Sequence, residues 1–128
     1  MHRRTSIFGL AALLMSAPAV AHHSFSAIFD SAKPVTLTGT VTRLDWMNPH
    51  TWIYLDVKKD DGTVEAWAFE LGSPNRLMRY GWNQNSLPTG ATVTIAGSQA
   101  RDGSLKAAVD TVTLPDGKRL FGAQETSN

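Results

Sequence analysis

The chain has 128 residues, 12 basic and 11 acidic side chains, a formal net charge of +1 and no cysteine. This length is enough for a single domain, and the absence of cysteine excludes a fold held together by disulfides. The nearly balanced charge offers no basic surface for nucleic acid, so we expect no nucleic-acid partner.

Residues 1–21 have the pattern of a secretory signal peptide. Two arginines are followed by nine apolar residues at 7–15, and Ala19 and Ala21 supply the small side chains of a cleavage site. Nine apolar residues are too few for a transmembrane helix, which needs about 20. We therefore expect cleavage after Ala21, a periplasmic location and no membrane insertion of the mature chain. The mature protein then has 107 residues, with ten basic and eleven acidic side chains.

The mature chain divides into three parts. Residues 22–34 have no clear period and are predicted to be an N-terminal arm. Residues 35–122 alternate between strand patterns and turn signals, which predicts one β-domain. Residues 123–128 form a polar tail.

Hydrophobic alternation and turn residues predict five main strands, one short strand and one helix. The helix begins after Ser73, a capping residue followed by proline, and ends near Gly81. Aspartate–glycine pairs mark turns at 61–62 and 102–103. The predicted strands cover residues 35–44, 51–57, 64–71, 92–97, 105–114 and 119–121, and the helix covers residues 74–80.

The order of these elements is typical of an OB-fold, a five-stranded Greek-key barrel with a short helix between strands three and four. Gly39 in the middle of the first strand predicts a bend, and a phase slip near Arg43 predicts a bulge. Such a strand contributes to both sides of a small barrel. An open β-sandwich or another small barrel is the alternative.

Several segments of the mature chain resemble a family of exported bacterial proteins classed as a domain of unknown function. The segments are AHHSF, KPVTLTGTV, WMNPHTWIYLDV, WAFELGSPNRLMRYGW and VTLPDGKRLF. The resemblance implies a small periplasmic domain, and it implies neither an activity nor catalytic residues.

The histidines suggest a metal site. Cleavage after Ala21 makes His22 the N-terminal residue, so that its amine and its ring can bind one ion. His50, or less simply His23, would add a further imidazole, and Met47 a thioether that favours Cu(I). Amine and imidazole nitrogens suit Cu(II). This ligand set is similar in type to the histidine brace of periplasmic copper-resistance proteins and lytic polysaccharide monooxygenases. We therefore expect copper as the cofactor, if the protein has one.

A structural role for the same residues is the alternative. His22 and His23 then begin a disordered tail. His50 only caps its loop, or bonds to Asn48, or packs between Trp46 and Trp52 with its polar edge facing water. The spacing in the sequence does not decide between these roles, because the segment up to Pro34 is long enough to reach most of a small domain.

The aromatic residues suggest a second kind of site. Trp52, Tyr54 and Trp67 lie on the second and third predicted strands, where OB-folds bind oligosaccharides. Trp52 and Tyr54 share a face of their strand. The partner would be a sugar polymer or a periplasmic protein. The alternative is that these rings fill the core of a domain without cysteine.

The sequence has no catalytic signature. It contains no cysteine nucleophile, no Gly-x-Ser-x-Gly elbow and no glycine-rich phosphate loop. Glu65 and Glu70 differ in strand parity, so they are expected on opposite faces and make a poor acid–base pair. We therefore predict a binding protein rather than an enzyme.

Overall fold

The structure is a computed structural model and describes residues 25–124. Within this range the chain is mostly β-strand, with two short helices. Their bounds are α1 Phe25–Ile28, β1 Phe29–Asp45, β2 Trp52–Lys58, β3 Val64–Glu70, α2 Pro74–Arg79, β4 Thr92–Ala100, β5 Lys106–Thr113 and β6 Arg119–Phe121. The predicted elements are all present. β1 begins six residues earlier than the predicted start at Val35, in the segment assigned to the N-terminal arm.

The six described strands belong to one sheet in the order β3-β2-β1-β4-β5-β6. β3 also pairs with β5 in parallel, which closes the first five strands into a ring. The other pairings are antiparallel. The all-β prediction is confirmed, and α2 lies between the third and fourth strands as expected. The OB-fold in particular remains a prediction within this class.

β1 contributes to two parts of the ring. Residues 34–40 pair with β4, residues 40–45 pair with β2, and the register shifts between Val41 and Arg43. The predicted bulge is therefore confirmed. A Cβ added to Gly39 would lie 2.6 Å from the carbonyl oxygen of Asp56. Glycine is required here because the two backbones approach too closely for a side chain.

The core lies inside the ring. Alternate residues of β2 and β3 point inward, as the alternation predicts. The largest fully buried side chains are Phe69, Ile53, Leu55, Leu71, Leu77 and Ile95. α2 contributes Leu77 to this core, and the Ser73 hydroxyl accepts a hydrogen bond from the amide of Arg76 at the start of the helix. Neither helix in residues 25–124 has the length and apolar character needed to cross a membrane.

Candidate functional site

His50 lies in the loop that joins β1 to β2, after a cis Asn48–Pro49 peptide bond. Its side chain is 33% exposed. Its Nδ1 atom is 3.0 Å from the carbonyl oxygen of Leu71. A carbonyl oxygen only accepts hydrogen bonds, so Nδ1 carries the hydrogen and donates it. In the neutral ring, Nε2 then has a free lone pair.

Glu70, the last residue of β3, is the second partner of His50. Its Oε1 atom is 3.1 Å from His50 Nδ1, and its side chain is only 13% exposed. Burial raises the pKa of the Glu70 carboxyl, and this effect outweighs the opposing electrostatic effects of the neighbouring His50 and Lys106. The carboxylate therefore lies in a poorly hydrated place, where its interaction with the imidazole is weakly screened.

The strand register places Glu70 in a row of side chains on the outer face of the sheet. Glu70 is directly opposite Trp52 in the β2–β3 pair, and Trp52 is opposite Asp45 in the β1–β2 pair. On its other side, Glu70 is paired with Ala108 of β5. Residues directly opposite one another share a face of the sheet. We call this row, with His50 beside it, the His50 face.

The described chain begins close to the His50 face. Ala108 belongs to a small apolar cluster with Phe29 and Ala100, and Phe25 packs against this cluster. The rings of Phe25 and Phe29 are 5.5 Å apart. Arg101 holds α1 in place, because its Nε atom donates a hydrogen bond to the carbonyl oxygen of Ser26 at 2.7 Å. The start of α1 is therefore fixed beside the strand that neighbours Glu70.

The residues predicted to bind metal are only partly described. His22 and His23 lie outside the described residues. The predicted signal peptide, residues 1–21, and residues 125–128 of the predicted tail also lie outside them. The hydrogen-bond partners of the His50 side chain are Leu71 and Glu70 rather than Asn48. Met47 is 52% exposed in the same loop. Within residues 25–124, no three His, Cys, Asp or Glu side chains come together as a metal site, so a metal at His50 needs further ligands from elsewhere.

The three aromatic residues predicted to bind a ligand do not share a face. Trp67 is opposite Leu55, faces the core and is only 6% exposed. Its indole nitrogen donates to Glu65 at 2.9 Å. Its assignment to a surface site is corrected, because its strand parity matches that of the buried Phe69. Trp52 and Tyr54 remain together on the outer face.

Tyr54 is partly covered on that outer face. The guanidinium carbon of Arg43 lies 4.0 Å from the centroid of the Tyr54 ring, and Arg43 Nε is 2.9 Å from Asp45. A groove of about 340 Å³ adjoins this pair. Its lining residues are Arg43, Leu44, Gln84, Asn85, Leu87, Pro88 and Thr89. The guanidinium, amide and hydroxyl groups of these residues are suited to hydrogen bonds with a polar ligand.

Sequence reasoning missed Glu70 as the partner of His50. Glu65 and Glu70 do differ in parity, as expected, but parity alone does not identify the neighbours of either side chain. The signal was available in the β2–β3 hairpin. The Asp-Gly turn pairs Lys58 with Val64, and counting back from it puts Trp52 opposite Glu70. His50, two residues before Trp52, then lies next to Glu70.

The fold and the site define a small all-β domain with a histidine held at one end of its strand ring. The chain belongs to a family of unknown function, DUF6152, whose model matches residues 11–109. This match confirms the resemblance to a domain of unknown function. No curated protein is significantly similar to the chain.

Proposed function

We propose that the protein is an exported metal-binding protein that holds one copper ion between His50 and the N-terminal residue of the mature chain, His22. The observation that carries this proposal is the orientation of His50. Its Nδ1–H is donated to Leu71, so Nε2 is the ring nitrogen left to bind a metal. A histidine fixed through one nitrogen is typical of metal ligands.

The position of α1 supports a contribution from the N-terminus. Phe25 packs on the cluster that includes Ala108, and Ala108 is paired with Glu70, the partner of His50. Neighbouring strands are about 4.8 Å apart. Two residues lie between His22 and Phe25, and the three Cα–Cα steps of such a chain span at most roughly 10 Å. We therefore propose that the short segment before Phe25 brings His22 to His50.

The donor chemistry favours copper over other metals. The amine and ring of His22 together with His50 supply three nitrogen ligands, and such sites bind Cu(II) more tightly than other divalent first-row metals. His23 is an alternative imidazole, and Met47 would favour Cu(I). The oxygen-rich ligand sets that Mg²⁺ and Ca²⁺ need are not offered by these residues.

Copper titration of the mature protein tests the proposal. Intact mass first establishes that the chain begins at His22. We expect one Cu(II) per protein, with the EPR spectrum of a tetragonal nitrogen site. His50→Ala should remove this signal. A second variant carries one extra residue before His22, so that the amine of His22 becomes a peptide nitrogen. This variant should also lose the copper site. Binding of equal strength in all three proteins would refute the proposal.

A second candidate is recognition of an oligosaccharide at the outer face of β1 and β2. It is favoured by the groove beside Arg43 and Tyr54, and by the shared face of Trp52 and Tyr54. Calorimetric titration with neutral oligosaccharides tests it. We expect Trp52→Ala or Gln84→Ala to weaken binding at least tenfold, whereas His50→Ala leaves it unchanged. Absence of saturable binding by the unmodified protein would eliminate this candidate.

A further inference from the structure

We propose that Glu70 is the positioning residue of the metal site: it orients the His50 ring and does not itself bind the metal. This inference rests on the proposed copper site and deepens it. Glu70 lies outside the sequence motif that contains His50. It orients the His50 ring in the metal-free protein as well, so its role is testable without copper.

The geometry separates the two sides of the His50 ring. Both groups near Nδ1 are acceptors, the Leu71 carbonyl at 3.0 Å and the Glu70 carboxylate at 3.1 Å. The hydrogen of the neutral ring is therefore held at Nδ1, and any metal must bind at Nε2, on the far side of the imidazole. Glu70 lies on the Nδ1 side, so it does not share an ion with Nε2 of the same ring.

A carboxylate in this place does more than a carbonyl oxygen. A carboxylate that accepts the Nδ1 hydrogen makes the imidazole a stronger donor to a metal at Nε2 than a carbonyl oxygen alone does. The low exposure of Glu70 makes this interaction stronger than it would be at the surface.

Glu70 is itself held in place. Its backbone is paired with Trp52 of β2 and Ala108 of β5, and its carbonyl oxygen accepts a hydrogen bond from the side-chain amide of Gln124. Arg76 in turn donates to the carbonyl oxygen of Gln124 at 3.0 Å. The backbone of Glu70 is thus fixed by strands on both sides and by the segment that follows β6, and its side chain is only 13% exposed. A residue that orients a metal ligand needs such a fixed position.

Two variants of Glu70 and one matched control test this role. Glu70→Ala removes the acceptor, and Glu70→Gln keeps an oxygen but loses the charge. Glu65→Gln changes the other glutamate of β3, which bonds to Trp67 and Lys59 instead. Copper affinity is measured by competition with a chelator of known affinity. We expect Glu70→Ala to weaken binding about 10- to 100-fold, Glu70→Gln to weaken it less, and Glu65→Gln to have no effect.

The stoichiometry and the EPR spectrum distinguish positioning from direct binding. A positioning role keeps one Cu(II) per protein in Glu70→Ala, with altered hyperfine splitting. Complete loss of the ion in a folded Glu70→Ala protein would instead make Glu70 a ligand and overturn the inference. An affinity and spectrum equal to those of the unmodified protein would overturn it as well.

The metal-free protein supplies the readout that does not depend on copper. Nitrogen-15 NMR of histidine distinguishes a hydrogen on Nδ1 from one on Nε2. We expect the Nδ1–H form of His50 in the unmodified protein and a smaller fraction of it in Glu70→Ala. If the unmodified protein binds no copper, the proposed function fails, while this NMR comparison still decides whether Glu70 orients the ring. Identical histidine spectra in both proteins would refute the inference.

Discussion

The carboxylates of this protein lie in two kinds of environment. Asp61 accepts hydrogen bonds from the hydroxyl and the amide of Thr63, at 2.6 and 2.9 Å, and these bonds lower the pKa of its carboxyl. Hydrogen bonds from Ser104 likewise lower the pKa of the Asp102 carboxyl. Glu70 is the opposite case, because burial raises its pKa. The turn aspartates therefore favour the folded state when ionised, whereas the ionised form of Glu70 is disfavoured by its position.

Replacing Asp61 with asparagine should give a stability loss that depends on pH. A carboxyl whose pKa is lower in the folded state stabilises the protein above its unfolded pKa, about 3.9 for aspartate, and this stability is lost as the pH falls through the folded pKa. We expect the melting temperature of Asp61→Asn to be lower than that of the unmodified protein at pH 7. The difference between the two melting temperatures should become smaller below pH 4. Thermal unfolding at several pH values measures this. A gap that stays constant with pH, or an equal effect of Asp60→Asn, would contradict it.

Replacing Trp67 with alanine should reduce stability and not ligand binding. The side chain is 6% exposed and its ring is 5.9 Å from that of Phe69. Removing a buried tryptophan costs about 3–5 kcal/mol, and Trp67→Phe should cost clearly less because an aromatic ring remains. Urea unfolding measures both. A loss below about 1 kcal/mol for Trp67→Ala would show that the ring is not part of the core.

At the scale of the elements, β1 shows what the sequence does and does not reveal. The alternation after Val35 and the bulge were both predicted, because each follows from local chemistry. The start of the strand at Phe29 was not predicted. Residues 29–34 have no alternation of their own. In this stretch Phe29 pairs with Ala100 and Pro34 with Ser98 of β4, with a register shift between the two pairs. Distant pairing sets that boundary.

The close approach of β1 to β2 at Gly39 can be tested with Gly39→Ala. The added methyl group would lie 2.6 Å from the Asp56 carbonyl oxygen, so β1 and β2 would have to move apart. Such overpacking costs about 1–3 kcal/mol. Thr36→Ala, an exposed position on the same strand, is the control and should cost less than about 0.5 kcal/mol. Equal unfolding free energies for the two variants would contradict the close approach of β1 and β2.

At the scale of the whole molecule, the ring of strands assembles the His50 face from distant segments. His50 and Trp52 were identified from the sequence, since they stand together at the hinge between two clear strands. Predicting that Glu70 lies beside His50 requires the register of the β2–β3 hairpin. Predicting that Glu70 pairs with Ala108 requires knowledge of the parallel contact of β3 with β5. Parallel pairing leaves no local turn signal. The position of Phe25 beside this contact was therefore beyond sequence reasoning.

Mapping the copper site by NMR tests the central claim most directly. Bound Cu(II) broadens amide signals near it, so substoichiometric copper reports where the ion lies on the mature protein. We predict selective loss of the signals of His50, Glu70, Ala108 and Phe25, while the turn at 60–62 is unaffected. Broadening centred on any other part of the molecule, or no selective broadening at all, would contradict a copper site formed by His50 and the N-terminus.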